Sequence, residues 1–134
     1  MSKVKRVSQK DNADCAVCCL AMYMGVDYEE LLEALPFLVT KTQKGGLYTE
    51  QLQMIMAVWS GRPVSIIHNH YDKDREKTKQ ILKMLDGTPA ILSARSLNYP
   101  SMGHAVYWDG SKIHDPSNKK KYNKSNISIY EVLF

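Results

Sequence analysis

Residues 14–24, DCAVCCLAMYM, are apolar on almost every side of a helix. A surface helix has one apolar stripe and one polar face, so a helix with no polar face must be enclosed by the rest of the chain. Enclosure needs further layers of structure packed around it. A chain of 134 residues can supply them as one domain and is too short for two comfortable ones. Residues 1–134 are therefore read as a single domain, large enough to fold without a disulfide or metal staple.

Punctuation along the chain divides the remainder. Gly25 closes the enclosed helix. Asp27 and Glu30 form an Asp-x-x-Glu capping box ahead of a short amphipathic helix with Leu31, Leu32 and Leu35, stopped by Pro36. Thr49 can cap a third helix with Leu52, Ile55, Met56 and Trp59 at i, i+3, i+4 and i+7, ended by Gly61 and Pro63. A fourth, residues 74–86, carries Ile81, Leu82 and Leu85 and ends at Gly87. Strand signals lie at 64–68, 90–95, 104–108, 112–115 and 127–132. Helices gather in the first half and consecutive strands in the second, the pattern of an α+β domain with an antiparallel sheet.

Charge and cysteine usage exclude several classes of function. The net charge of +4 is unevenly spread: the start (Lys3, Lys5, Arg6, Lys10) carries +4, the end, where four lysines stand against Glu131, carries +3, and residues 11–115 carry −3. Basic ends on a mildly acidic body read as solvated termini, with Ser117 to Lys124 an exposed loop, so nucleic acid is not an expected partner. No apolar run approaches the ~20 residues of a membrane span, and the charged N-terminus is no signal peptide, so membrane insertion is not expected either. Three cysteines, an odd number without an export signal, point to the reducing cytoplasm.

Cys15 stands in the opening turn of the enclosed helix, after Asp11, Asn12 and Asp14, any of which can be the N-cap. The positive end of the helix dipole favours its thiolate, which makes it the candidate nucleophile, whereas Cys18 and Cys19 read as small core hydrophobes. Cys15-Ala-Val-Cys18 also spells C-x-x-C. A redox site of that kind follows a strand, and a zinc site needs two further ligands at local spacing. Neither context is present, and His68-Asn69-His70 does not complete one. No metal and no cofactor are expected.

His104 is the candidate base. A two-residue turn at Asp109-Gly110, the strongest hairpin signal, sets His104 directly opposite Asp115. A turn at Gly110-Ser111 instead sets Asp115 opposite Val106, diagonal to His104 but on its face. Only a three-residue loop separates the two onto opposite faces. Both two-residue turns predict a His–Asp pair and place His114 on the other face. Gln9, six residues before Cys15, can offer a side-chain amide to a developing oxyanion.

Gln9 with Asp14-Cys15, then Leu20-Ala21-Met22 and Gly25, Gly46-Leu47, Leu85-Asp86-Gly87-Thr88-Pro89, Gly103-His104 and Asp115-Pro116 resemble the papain-like bacteriocin-processing cysteine peptidases. These are the double-glycine leader peptidases found as N-terminal domains of certain ABC exporters. The resemblance spans about residues 9–116. It implies a papain-like fold with a helical half packed on an antiparallel sheet. It also implies Cys15 as nucleophile, His104 as general base and acid, Asp115 as the orienting residue and Gln9 as oxyanion donor. The substrate it implies is a peptide or protein amide bond. Ala16 stands where the family usually has glycine, and no exporter follows Phe134. A freestanding domain is therefore expected, to which fold and catalytic set carry over further than substrate. Two alternatives use the same residues: a non-catalytic peptide- or protein-binding module, and a thiol acyltransferase or small-amide hydrolase.

Overall fold

The computed structural model describes residues 6–7, 9, 14–43, 46–97, 103–117 and 122–134. The alternative N-caps Asp11 and Asn12 lie outside these residues, as do Lys3, Lys5, Lys10, Lys119, Lys120 and Lys121. The chain runs α1 (Cys15–Met24), α2 (Tyr28–Ala34), α3 (Leu38–Gln43), α4 (Thr49–Ser60), β1 (Ile66–His68), α5 (Arg75–Met84), β2 (Ala90–Arg95), β3 (Gly103–Trp108), β4 (Ile113–His114) and β5 (Ile129–Leu133). The five strands form one sheet in the order β1-β5-β2-β3-β4, every neighbouring pair antiparallel. The class is α+β, as the distribution of helix and strand signals predicts.

Enclosure of α1 organises one face of this sheet. Val17, Cys18, Cys19, Leu20 and Ala21 are fully buried, and they share a core with Leu31 of α2, Leu52 and Met56 of α4, and Ile91, Ala105, Tyr107 and Leu133 of the sheet. Gly25 ends α1 at φ 71°, where glycine avoids the strain a side chain would meet. The alternate residues of the strands, Leu92, Val106, Trp108 and Val132, turn to the other face and meet Leu82, Leu85, Tyr122 and Ile127. Helices therefore cover both faces. The expected split into a helical half and a sheet half holds for α1, α2 and α4 but not for α5, whose Leu82 belongs to the far side.

Three local readings change. α3 was not anticipated, because Pro36 read as a stop. The turn in which Leu38 N–H bonds Leu35 O (3.0 Å) and Val39 N–H bonds Pro36 O (3.1 Å) leads straight into a new helix anchored by buried Leu38. Asp27 sits at the N-cap of α2 in extended backbone but without the side-chain bond of a capping box. Thr49 is the first residue of α4 rather than its cap: Tyr48 is the N-cap, Gln51 Oε1 accepts from Tyr48 N–H (3.0 Å), and the Thr49 hydroxyl donates to Glu131 (2.7 Å).

The β3–β4 hairpin settles the register. Tyr107 pairs with His114 and Trp108 with Ile113, and Asp109 N–H bonds Lys112 O at 3.1 Å, so the turn is Gly110-Ser111 and not Asp109-Gly110. Asp109 stands before the turn, its carboxylate accepting from Ser111 N–H (2.8 Å) and Lys112 N–H (2.7 Å). Gly110 takes φ 101° at the first central position, where type II′ turns require glycine. A Cβ there would also lie 2.9 Å from the Gly87 carbonyl carbon. Gly110→Ala therefore combines positive-φ strain with a backbone clash. Denaturant unfolding should show a loss of about 2–4 kcal/mol.

Candidate active site

α1 presents its N-terminus to the start of β3. Asp14 is its N-cap, with Cys18 N–H bonded to Asp14 O at 2.9 Å, and half-buried Cys15 is the first helical residue. His104 is the second residue of β3 and stands beside Cys15, near enough for the imidazole and the thiol to act on each other's ionisation. Its Nε2 lies 2.8 Å from Asp115 Oδ1. Asp115 is buried, and it also accepts from Ser117 N–H (2.9 Å, Oδ1) and Tyr122 N–H (3.2 Å, Oδ2). An ionised carboxylate only accepts, so the pair fixes a proton on Nε2 and leaves Nδ1 as the ring nitrogen for the thiol. The diagonal register delivers the pairing that both two-residue turns allowed.

Burial and partners pull the ionisation of these groups in opposite directions. Burial pushes the Cys15 thiol up, but the His104 hydrogen bond and charge, with the Ala105 and Ala16 main-chain bonds, bring it below its ordinary value. Burial lowers the pKa of His104, yet hydrogen bonds to Asp115 and Cys15 and their negative charges raise it to about 9. Asp115 feels burial upward and, more strongly, His104 and the N–H groups of Ser117 and Tyr122 downward. The charged forms favour one another, which is the condition for a thiolate–imidazolium pair. Cys19 shows the contrast. Burial, then Cys15, Cys18 and Asp115, push its thiol well above the ordinary value.

Gln9 arrives at the same helix start. Its side-chain nitrogen donates to Asp14 Oδ1 (3.2 Å), and its main-chain N–H donates to Pro116 O (2.8 Å). Tyr28 holds the other Asp14 oxygen at 3.1 Å, so this fully buried carboxylate ties α2 to the beginning of α1. Arg6 continues the attachment, with Nε on Asp115 O (3.0 Å) and Nη2 on Ser117 O (2.6 Å). The basic start of the chain is thus not only a solvated terminus. Arg6 is half-buried and spends its guanidinium on the segment that carries Asp115.

Tyr122 is the residue that the sequence hid. It falls in the stretch read as an exposed basic loop, yet it is buried and its ring stacks on His104, centroids 4.7 Å apart at 18°. Nearby Lys124 sets its ammonium 5.2 Å over the Trp108 ring. A Cβ on Gly103 would meet the Tyr130 hydroxyl, the far end of a side chain that would have to move aside. The pairing of β2 with β5 shifts between Ser93 and Ala94, which stand opposite Glu131 and Ile129, so Tyr130 is passed over in the register. His114 is a turn tie, its Nε2 2.7 Å from Asp109 Oδ2, and exposed His68 lies 3.5 Å from Glu131. Among the described residues no cluster of His, Cys, Asp and Glu could hold a metal ion.

An ordinary thiol loses about tenfold in alkylation rate per unit of pH below its pKa, because only the thiolate reacts. With the Cys15 pKa lowered, iodoacetamide should label Cys15 alone, at about one equivalent, with a rate profile displaced to lower pH than that of an ordinary thiol. His104→Ala should move the profile back toward higher pH and reduce the rate at pH 6. Peptide mapping of the labelled protein checks the site, and labelling at Cys18 or Cys19 would show that the helix start confers no selectivity. No known protein-family model matches this chain, and no curated protein matches it.

Proposed function

We propose that this chain is a papain-like cysteine peptidase, resembling the bacteriocin-processing peptidases, that hydrolyses a peptide or protein amide bond. The observation that carries this reading is the His104–Asp115 pair, 2.8 Å apart, set beside Cys15 at a helix N-terminus, with the thiol pKa lowered and the imidazole pKa raised. Perturbation of this kind, with a charge partner for each group, is what nucleophilic catalysis demands of a cysteine.

The steps follow from the placement of each group. Cys15 Sγ, as thiolate, attacks the carbonyl carbon of the substrate. Negative charge gathers on the carbonyl oxygen, where the α1 N-terminus and the Gln9 amide supply donors, the amide using one N–H there while Asp14 holds the other. His104 then gives its Nδ1 proton to the leaving amine, and an acyl-thioester remains on Cys15. Water attacks that thioester as His104 takes up a proton, and the acid product leaves. Asp115 keeps the imidazole in one tautomer and one orientation through both halves. This chemistry draws on no metal or cofactor. The cysteines in thiol form suit a reducing cytoplasm. Among the described residues no helix is long and apolar enough to cross a membrane.

Comparison of protein N-termini in cells carrying the wild type or Cys15→Ala should reveal termini that depend on the thiol, and these name the substrate. Termini identical in the two, together with partner capture unaffected by Cys15→Ala, would replace hydrolysis by binding. On the substrate so found, Gln9→Ala should lower kcat by about 10²-fold with little change in KM, the pattern of a donor that acts in the transition state. Asp115→Asn should slow turnover far more than it slows alkylation of Cys15.

A further inference from the structure

Resting on the Cys15–His104–Asp115 reading, we propose that Tyr122 is a positioning residue that locks the plane of the His104 ring and keeps water from the His104–Asp115 hydrogen bond. Both hydrogen bonds of an imidazole lie in its ring plane, so aiming one nitrogen at Asp115 and the other at Cys15 requires that plane to be fixed. Asp115 alone fixes a direction and leaves the ring free to swing about it. The Tyr122 ring, 4.7 Å away and within 18° of parallel, removes that swing from one face.

Tyr122 is itself held from three directions. Its main-chain N–H donates to Asp115 Oδ2 (3.2 Å). Its hydroxyl accepts from Leu97 N–H (2.9 Å) and donates to Arg95 O (3.3 Å) at the end of β2. One residue thereby joins the strand before His104, the imidazole and the carboxylate. It is also only 9% exposed, so the ring that faces His104 is backed by protein and not by solvent. A hydrogen bond sheltered in this way is electrostatically stronger than one open to water.

The test reads the imidazole directly and needs no substrate. In the wild-type protein the His104 Nε2 proton should give a low-field ¹H NMR resonance that exchanges slowly with water. Tyr122→Phe keeps the ring and gives up the hydroxyl ties, and it should keep the resonance while losing some thermal stability. Tyr122→Ala should lose the resonance to fast exchange, with slower alkylation of Cys15 by iodoacetamide at pH 7. Tyr122→Leu fills the space without a flat ring and should behave like the alanine variant, which also serves if that variant does not fold. A sharp, slowly exchanging resonance in Tyr122→Leu would overturn the proposal. Loss of the resonance in Tyr122→Phe would overturn it as well, because the hydroxyl ties would then do the positioning. His104→Ala separates the underlying reading from this one: alkylation indifferent to that substitution refutes the Cys–His pair, while the resonance of the proteins that keep His104 reports independently on Tyr122 and Asp115.

Discussion

A helix without a polar face has no place on a surface, and most of this molecule is an answer to that constraint. Burying Val17 and Leu20 of α1 contributes on the order of 1.5–3 kcal/mol for each such side chain. That stabilisation is large enough to hold a partly desolvated thiol at the helix start against its own cost. The sheet lies under α1 along β3, and α2 and α4 close the sides. Once α1 is fixed so firmly, its first residue is fixed too. Cys15 inherits a position from apolar residues that take no part in its chemistry.

The apolar period and the turn residues made α1, the ends of α4 at Gly61 and α5 near Gly87, and the extent of β2 readable in advance. The site was partly readable for the same reason. His104 and Asp115 belong to one hairpin, so local turn geometry constrains their separation even when the turn is misplaced by one residue. Asp109 misled because its carboxylate serves the turn from outside it. Tyr122, Arg6 and the Asp14–Tyr28 contact were not readable. Tyr122 and Arg6 reach partners far away in the chain, and Asp14 meets Tyr28 only through the angle at which α2 leaves α1; no local spacing encodes these approaches. The family resemblance added roles for Cys15, His104, Asp115 and Gln9, and those roles remain a reading of the geometry.

The three groups of the site come from three kinds of local structure, and each supplies a different restraint. A helix N-terminus offers main-chain N–H groups and a positive dipole to Cys15. A strand holds His104 at a fixed rise and on a fixed face. The segment after β4 meets Asp115 with two main-chain N–H groups, which stabilise its charge without adding a competing cation. The imidazole is thus a charged partner for the thiolate beside the main-chain bonds from Ala16 and Ala105. The lowered thiol pKa and the raised imidazole pKa follow from this division.

The clasp between the start of the chain and the segment after β4 has a further consequence. Arg6 reaches the carbonyls of Asp115 and Ser117, and the Gln9 N–H reaches that of Pro116. All three acceptors are main-chain oxygens, which every amino acid possesses. The grip on this side is written in backbone and is indifferent to which side chains stand at 116 and 117. Position 117 is consequently open to any residue that keeps the N–H which Asp115 accepts, so the half-exposed surface beside that carboxylate can change its character while the frame beneath it keeps its shape.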